Sequence, residues 1–522
     1  MPVSHVIESV DEPELHRLGG ELAFIARRGD FIALSGELGA GKTTLARALI
    51  HALMGDEGEE IPSPTFTLVQ SYATPRMPVA HFDLYRLNTP DELEELGLDP
   101  ALRNGIALVE WPERASERLP KDRLDLRIDD DNAGATRRIT LTGHGDWAAR
   151  LDRFMAMRAL IRNGNGHGNG NGGANGGGDC ELRYLQGDAS VRRYGRVLRR
   201  DAPGAILMDW PRQPDGPPIR NGLPYSRLAH LAEDVRPFVA VAKALDDAGL
   251  TVPRIHAQDL DNGFLLLDDL GDRVFGREIA SGTTDQATLW RAATDALVAL
   301  SHAPAPQTLP VNGDGKHAVS AYDGDAMAIE TELIVDWYWP AVRSTPLPKA
   351  ERDEFTGLWS AVFTELAKMP PAWVLRDYHS PNLLWLPERE GIARVGVIDF
   401  QDAMRGPAAY DLVSLLQDAR VDVAPELEVS LFDHYCAGAA ARPGFDRDAF
   451  AFAYAALGAQ RNTKIVGIFA RLAKRDGKPQ YLQHIPRLWR YLERDLAHPR
   501  LGALKAWYDR HFPADTPTIP VA

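Results

Sequence analysis

A run of asparagine and glycine divides this chain. Residues 162–178 are almost entirely Asn and Gly, with exceptions such as His167 and Ala174. Such a segment buries too little apolar surface to offset the entropy lost on ordering. We therefore expect a disordered linker at 162–178 between one folded domain at 1–161 and another at 179–522. A linker of this kind tethers two domains without fixing their orientation.

The amino-acid composition and net charge favour a globular protein of a reducing compartment. With 44% hydrophobic and 25% charged residues the chain is typical of a globular protein. Its net charge of −15 argues against a broad basic face, so we expect no strong direct nucleic-acid binding. Only Cys180 and Cys436 occur, far apart in the chain, which makes a disulfide framework unlikely and favours a reducing compartment. No signal peptide or apolar run of about 20 residues is visible, so we expect a cytoplasmic protein with no membrane contact.

The first half alternates strand and helix patterns. A short apolar run precedes residue 36, and a helical period follows over residues 42–53. Further patterns predict buried strands at 79–83 and 106–110, a hairpin of 124–128 with 137–141, and a closing helix at 147–161. The first half is therefore predicted to be a small α/β domain.

A phosphate-binding loop follows the first of these strands. The string Gly36-Glu-Leu-Gly39-Ala-Gly41-Lys42-Thr43-Thr44 lies between the predicted strand and helix. Glycines let backbone N–H groups surround phosphates, and the helix N-terminus favours negative charge. Lys42 can reach the β/γ phosphates of ATP, and Thr43 can bind Mg²⁺. Asp83 and Glu110 end neighbouring strands, which makes them candidates for a second Mg²⁺ ligand and for a residue that orients or activates water.

Several strings of this half resemble a known family. The loop, Ser63-Pro-Thr-Phe66, His81-Phe-Asp-Leu-Tyr-Arg86 and Val109-Glu-Trp-Pro-Glu113 resemble the TsaE ATPase of bacteria in order and spacing. The resemblance implies an ATPase that assists a TsaB–TsaD complex in making threonylcarbamoyladenosine on tRNA, with TsaB- and TsaD-like partners. It implies phosphate binding by Lys42 and Mg²⁺ binding by Thr43 and Asp83. It further implies a switch-like loop at 63–66 and a role for Glu110 in hydrolysis or in the nucleotide pocket.

The second half carries a different phosphate-transfer pattern. Strand patterns at 181–185, 195–198, 205–208 and 263–267 surround a helical run at 228–248, and helices dominate thereafter. This order predicts a small β lobe at about 179–270 and a helical lobe at about 271–522. Asp377 and Asn382 are five residues apart, and Asp399 follows an apolar strand. In kinases such residues supply the catalytic base and the Mg²⁺ ligands, so we predict Asp377 as base and Asn382 and Asp399 as ligands.

The remaining ATP contacts depart from kinases. A turn containing Gly187 and Ser190 is expected to cover the phosphates, and backbone groups of Asp269 and Leu270 are expected to bind adenine. No lysine occurs at 205–209, where kinases carry one on their third strand. Our hypothesis is that Arg192 or Arg193 supplies that charge. Asp411 is interpreted as a brace for the catalytic loop.

The second half resembles the aminoglycoside-phosphotransferase superfamily. Strings from Gly187-Asp-Ala-Ser-Val-Arg-Arg-Tyr194 to Ala459-Gln-Arg-Asn-Thr-Lys464 are most similar to its AmgK branch. That branch implies ATP- and Mg²⁺-dependent phosphorylation of N-acetylmuramic acid or N-acetylglucosamine at the anomeric hydroxyl, in peptidoglycan recycling. Candidates for sugar contacts are Glu332, Asp336, Trp337, Tyr338, Gln460, Arg461 and Asn462.

Two alternatives remain open for the second half. It could phosphorylate another small alcohol such as an aminoglycoside, or it could be a kinase-like fold that only binds a ligand. The complete Asp377, Asn382 and Asp399 set argues against the binding module, whereas the missing lysine keeps it open. The favoured interpretation is a fusion of a P-loop α/β ATPase with a two-lobed, kinase-like α+β phosphotransferase.

Overall fold

The structure is a computed structural model. It describes residues 1–56, 58–87, 89, 92–131, 135–164, 180–185, 192–200, 203–311, 315–513 and 516. The predicted linker from residue 165 onward and the predicted phosphate-covering turn at 187–190 lie outside these residues.

The chain up to residue 164 alternates strands and helices. Its elements are β1 Val3–Val10, α1 Glu12–Ile25, β2 Phe31–Gly36, α2 Lys42–Met54, β3 Val69–Tyr72, β4 Val79–Asp83, α3 Glu92–Glu95, α4 Leu98–Asn104, β5 Ile106–Glu110, β6 Arg123–Asp131, β7 Thr136–His144 and α5 Asp146–Asn163.

Strands precede helices in the rest of the chain. Up to residue 318 the elements are β8 Cys180–Leu185, β9 Arg193–Arg199, β10 Ala205–Asp209, β11 Pro218–Arg220, β12 Leu223–Pro224, α6 Tyr225–Leu228, α7 Arg236–Asp247, β13 Ile255–Asp259, β14 Phe264–Asp268, α8 Phe275–Ala280, α9 Gln286–His302, β15 Thr308–Pro310 and β16 Lys316–Ala318. The remaining elements are α10 Gly324–Leu333, α11 Trp339–Arg343, α12 Lys349–Leu366, β17 Ala372–Val374, β18 Leu383–Trp385, β19 Val395–Val397, β20 Met404–Gly406, α13 Ala409–Leu416, α14 Pro425–Ala439, α15 Arg447–Asp476, α16 Ile485–Leu496 and α17 Gly502–His511.

Two compact units make up the structure. The first contains Met1–Pro211 and Ile255–Asp269, and the second contains Arg212–Arg254 and Leu270–Ala522. Among the described residues, no helix is both long enough and apolar enough to span a bilayer.

The first unit contains two sheets. A seven-stranded sheet has the order β1-β7-β6-β2-β5-β4-β3, and a five-stranded sheet has the order β13-β14-β10-β9-β8. In the larger sheet β2 is parallel to β5 and β6, and β4 is parallel to β5, so that Asp83 and Glu110 are register neighbours at the strand ends. This sheet and its helices confirm the α/β prediction for the first half.

One apolar core extends through both sheets of the first unit. It includes Phe24 and Phe154 from the N-terminal part and Leu182, Val197 and Leu266 from the five-stranded sheet. The sequence predicted a tether that leaves the orientation of these parts open, whereas here both contribute to a shared core. The physical reason is that α1 and α5 both contribute buried apolar side chains to this core.

Helix α5 extends two residues into the segment predicted as linker. Arg162 is held in that last turn because its guanidinium pairs with the carboxylates of Glu14 and Glu21 on α1. Arg158 pairs with the same two carboxylates one turn earlier. Ion pairing therefore continues the helix where composition alone favoured disorder.

Helices dominate the second unit, with short ladders β17–β20 and β18–β19 between them. The helix predicted at 228–248 is shorter, because only Arg236–Asp247 forms its long part. His230 has a left-handed φ of 52°, and Pro237 in the first turn of α7 cannot donate the backbone hydrogen bond of a continuous helix. Phe238 of α7 stacks on Phe400, with ring centroids 4.6 Å apart. The order of a β sheet followed by a helical region confirms the predicted α+β class of the second half.

Candidate functional sites

The phosphate-binding loop connects β2 to α2 through three left-handed glycines. Gly36 has φ +142°, and a Cβ there would lie 2.3 Å from the carbonyl oxygen of Ile128. Gly39 and Gly41 have φ values of +86° and +110°. Side chains are strained in this region, so the loop requires glycine at these positions. Its backbone leads directly into the N-terminus of α2, where phosphate is favoured.

Lys42 and Thr43 begin α2 and connect the loop to the sheet. The Lys42 ammonium donates to the carbonyls of Gly36 and Glu37, both at 2.8 Å, and lies 3.8 Å from the centroid of the Trp111 ring. Burial lowers the pKa of Lys42, and the nearby Glu110 carboxylate opposes this change. The Lys42 side chain therefore lies along the phosphate-binding loop. Thr44 follows in the same helical turn, half-buried.

Two acidic strand ends lie beside Thr43. The Thr43 hydroxyl donates to Glu110 Oε2 at 2.9 Å, and Glu110 Oε1 lies 2.9 Å from His81 Nε2. Asp83 accepts a hydrogen bond from the Thr65 hydroxyl at 2.8 Å, which ties the predicted 63–66 loop to the strand end. Hydroxyl and carboxylate oxygens are the ligands that Mg²⁺ prefers. The structure therefore brings the four predicted residues Lys42, Thr43, Asp83 and Glu110 to one edge of the sheet.

The second site is built from the loop between β17 and β18 and the segment after β19. The Asn382 side-chain amide donates to the Asp377 carbonyl at 3.0 Å and to Asp399 Oδ2 at 3.4 Å. Asp399 has a left-handed φ of 62°. For a residue other than glycine, such backbone is uncommon and clusters at functional sites. The three predicted residues Asp377, Asn382 and Asp399 therefore lie together.

Asp377 is placed to accept a proton. Its side chain is 39% exposed, so a hydroxyl could approach it. Burial acts to raise the pKa of Asp377, but His379 in its protonated form and the positive charges of Lys464 and Arg376 hold that pKa below its ordinary value. The carboxyl group is therefore ionised at neutral pH, as a general base requires.

Asp411 binds the backbone of the loop that leads into Asp377. Its carboxylate accepts hydrogen bonds from the backbone N–H groups of Leu375 at 2.6 Å and Arg376 at 2.9 Å. Burial raises the pKa of Asp411 to about 7, in spite of these two bonds. This geometry agrees with the bracing role predicted for Asp411.

Comparison with known proteins identifies both parts. The family model "Threonylcarbamoyl adenosine biosynthesis protein TsaE" matches residues 9–139, and the model "Phosphotransferase enzyme family" matches residues 181–452. A protein of Caulobacter vibrioides called N-acetylmuramate/N-acetylglucosamine kinase is 43% identical, over 65% of this chain and 94% of its own. A protein of Streptomyces coelicolor called tRNA threonylcarbamoyladenosine biosynthesis protein TsaE is 45% identical, over 26% of this chain and 94% of its own.

The chain belongs to both families. A further relative of the phosphotransferase part, the N-acetylmuramate/N-acetylglucosamine kinase of Pseudomonas aeruginosa, is 36% identical over 62% of this chain and 86% of its own. ATP-using enzymes are thus expected in both halves, which agrees with the ATP-dependent chemistry predicted from the motifs.

Some of the ATP contacts predicted in and near the five-stranded sheet lie outside the described residues, and others contact neighbouring side chains. Gly187 and Ser190 lie outside the described residues. The Arg192 guanidinium lies 4.7 Å from the centroid of the Trp210 ring. The Asp269 carboxylate pairs with Arg196 at 2.7 Å, and its backbone continues into Leu270 after β14. The adenine and phosphate roles of these residues stay predictions.

The side chain of Arg193 binds protein groups. Its guanidinium pairs with Asp209 Oδ2 at 2.7 Å and donates to the carbonyls of Phe24 and Ile25 at 3.4 and 3.3 Å. These partners belong to β10 and to α1 of the TsaE-family part. The structure therefore connects Arg193 to that part, and phosphate binding by this residue stays a prediction.

Most of the proposed sugar contacts are in the protein interior or in ion pairs. Gln460, Arg461 and Asn462 are each at most 4% exposed in the middle of α15. Glu332 and Asp336 pair with Arg352, at 3.3 and 2.6 Å. The two aromatic candidates lie in the π-helical turn Ile334–Tyr338, where Tyr338 is fully buried and Trp337 is half-buried. Among these candidates only Glu332, Asp336 and Trp337 keep surface that a sugar could reach.

A buried charge cluster beside the catalytic loop was missed by sequence reasoning. Glu330 is fully buried and pairs with Arg376 and, at 2.8 Å, with Lys464. The Tyr322 hydroxyl and the Gln460 amide donate to its other oxygen at 2.6 and 2.9 Å. Burial opposes ionisation of Glu330, yet Lys464 and Arg376 lower its pKa to about 2. The only sequence signal was Arg376, directly before Asp377.

Proposed function

We propose that this protein is bifunctional, with an ATPase that supports tRNA threonylcarbamoyladenosine synthesis and an ATP-dependent amino-sugar kinase. The kinase would phosphorylate the anomeric hydroxyl of N-acetylmuramic acid or N-acetylglucosamine and produce a sugar 1-phosphate for UDP-sugar synthesis. The observation that carries the kinase assignment is the meeting of Asp377, Asn382 and Asp399, in a chain of which 65% aligns at 43% identity with a named kinase of these sugars.

Each residue of the kinase site has a distinct proposed role. Asp377 orients the sugar hydroxyl and accepts its proton, because its carboxylate is ionised and partly exposed. Asn382 and Asp399 offer amide and carboxylate oxygens of the kind that hold Mg²⁺. ATP, bound with Mg²⁺, supplies the γ-phosphoryl group that is transferred. Asp411 keeps the loop in position by accepting two of its backbone N–H groups.

In the ATPase site, different residues are proposed to bind ATP and to promote its hydrolysis. Lys42 and the loop glycines bind the phosphates of ATP, while Thr43 and Asp83 are the proposed Mg²⁺ ligands. Glu110 accepts from Thr43 and neighbours His81, so it is placed to orient the attacking water. TsaB- and TsaD-like subunits are the proposed partners, and in such an assembly they would hold the tRNA. A chain with net charge −15 is consistent with that division.

A cytoplasmic location is proposed for both activities. Cys180 and Cys436 are free, buried thiols, as expected in a reducing compartment.

The kinase assignment is tested with the full chain carrying Lys42→Ala, which we expect to abolish ATP turnover at the first site. ADP release is measured with N-acetylmuramic acid, N-acetylglucosamine, kanamycin and choline. We expect turnover on the amino sugars and none when Asp377→Asn is added. Turnover on kanamycin or choline alone would replace this function with another small-alcohol kinase, and no turnover on any of the four would favour a binding module.

The ATPase assignment is tested in the Asp377→Asn background without sugar. ATP hydrolysis is measured with and without a purified TsaB–TsaD complex, and Lys42→Ala and Glu110→Gln are compared. We expect stimulation by the complex and loss of hydrolysis in both variants. Hydrolysis that the complex does not change would contradict the proposed partnership.

A further inference from the structure

We call the described residues up to 164 the ATPase part and those from 180 onward the kinase part. The five-stranded sheet of the kinase part packs against α1 of the ATPase part through close apolar contacts. Gly195 of β9 lies against α1, and a Cβ at Gly195 would be 3.0 Å from Phe24 Cε2 and 2.5 Å from Leu182 Cδ1. Val197 and Leu266 of the same sheet are fully buried in the core that contains Phe24. The absence of a side chain at residue 195 thus allows the ring of Phe24 to approach the sheet.

A buried carboxylate lies at the same boundary. Asp209, the last residue of β10, is 0% exposed. It is paired with Arg193 of β9, its register neighbour, at 2.7 Å, and with Arg153 of α5. Arg153 also donates to the carbonyl of Asn262 at 2.9 Å. The charge of a kinase residue is therefore balanced partly by a guanidinium from the ATPase part.

Burial makes this arginine more than a surface contact. A buried charge that loses one partner stays uncompensated, whereas an exposed pair contributes little. Without Arg153, Asp209 would lose one of its two direct ion pairs and keep Arg193, with Arg27 as a further nearby charge, and the carbonyl of Asn262 would lose the Arg153 donor. The structure would then favour a shift of β10 or entry of water at its end.

Strand β10 is the strand at which such a shift matters. Protein kinases carry their phosphate-binding lysine on the corresponding third strand. Here residues 205–209 contain no lysine, and the strand is fixed at its end by the Asp209 ion pairs. The position of the nucleotide-binding sheet therefore depends on a group outside the kinase part.

We propose that Arg153 of the ATPase part is a positioning residue for the ATP-binding sheet of the kinase part. It acts through Asp209 and touches neither nucleotide nor sugar. The inference rests on the proposed kinase function for its kinetic readout, and it predicts that the fusion is a structural requirement of this kinase rather than a tether.

The test compares three variants of the full chain. Arg153→Ala removes the guanidinium, and Arg153→Lys keeps the positive charge. Arg150→Ala is the control, because Arg150 lies one turn earlier on α5 and pairs with Asp30 and not with Asp209; it shares only the Ile25 carbonyl with Arg193. Kinase KM for ATP and kcat are measured with saturating sugar. Deuterium uptake of peptides covering β9 and β10 is measured without substrate.

We expect Arg153→Ala to raise the KM for ATP about fivefold or more while kcat changes less than about twofold, since a positioning contact and not a reacting group is lost. Arg153→Lys should recover part of that loss, and Arg150→Ala should match the wild type. Deuterium uptake in β9 and β10 should increase in Arg153→Ala alone.

Two results would overturn the proposal. One is unchanged deuterium uptake in Arg153→Ala, and the other is an equal effect of Arg150→Ala on β9 and β10. The exchange measurement needs no substrate, so its result stands even if the sugar-kinase assignment fails. If none of the four kinase substrates is phosphorylated but deuterium uptake increases in Arg153→Ala alone, the positioning contact is supported. Only the assignment of a sugar substrate is then rejected.

Discussion

Glu330 is buried between two cations, and its removal provides a quantitative test of the kinase site. Glu330→Gln keeps the shape of the side chain but leaves Arg376 and Lys464 without their shared anion. The drop in the pKa of Glu330 from 4.5 to about 2 corresponds to about 3 kcal/mol of stability. Breaking a buried ion pair by removal of one partner typically costs about 3–5 kcal/mol, which agrees with this value.

The pH dependence of this contribution has a definite sign. The folded-state pKa of Glu330 lies below its unfolded value, so ionised Glu330 stabilises the fold above pH 4.5. That stability is lost as the pH falls from 4.5 to about 2. The difference in stability between wild type and Glu330→Gln should therefore be smaller at about pH 3 than at neutral pH.

Thermal unfolding of the full chain measures the effect. A loss of about 3 kcal/mol should lower the Tm of the transition that contains the kinase site by roughly 6–12 °C. The control is Glu365→Gln, because Glu365 is 40% exposed and its pairs with Lys368 and Arg500 lie at the surface. We expect that control to change the Tm far less than Glu330→Gln does, because an exposed ion pair contributes little to stability. A Tm for Glu330→Gln as close to wild type as that of the control would refute the reasoning.

Three further substitutions test separate parts of the account. Asp411→Asn should reduce kinase kcat about 10- to 100-fold, because one backbone N–H of the catalytic loop loses its acceptor at a cost of about 1–3 kcal/mol; steady-state kinetics measures it, and an unchanged kcat would remove Asp411 from the site. Lys42→Ala should abolish ATP hydrolysis without sugar and leave sugar phosphorylation intact, whereas loss of both would show that the sites are not independent. Gly36→Ala should abolish nucleotide binding at the first site, because its Cβ would lie 2.3 Å from the Ile128 carbonyl oxygen; titration with a fluorescent ATP analogue in the Asp377→Asn background measures it, and normal binding there would contradict the loop geometry.

Motifs that need a fixed local backbone were predictable from the sequence. Strands 79–83 and 106–110 coincide with β4 and β5, and their acidic ends meet as register neighbours. The catalytic-loop residues also lie together, since Asn382 contacts both Asp377 and Asp399. In each case short-range chemistry determines the structure: parallel strand ends share an edge, and a loop of fixed length brings its ends together.

Long-range pairings were not predictable in the same way. Nothing in the sequence around Glu330 indicates that residues 376 and 464 supply its counter-charges, because these positions are far apart in the chain. Gln460 and Asn462 were candidates for sugar contacts, yet α15 buries them as hydrogen-bond donors to Glu330 and Gln417. Polar residues on a helix look alike in sequence whether they face a ligand or a buried network.

The central claim is that one chain holds an amino-sugar kinase site and a separate P-loop ATPase site. The most direct measurement is phosphorus NMR of the product formed from N-acetylmuramic acid and ATP by wild type, Lys42→Ala and Asp377→Asn. We expect an anomeric sugar 1-phosphate from wild type and Lys42→Ala and none from Asp377→Asn. Product from Asp377→Asn at the wild-type rate, or a phosphate on any other hydroxyl, would contradict it.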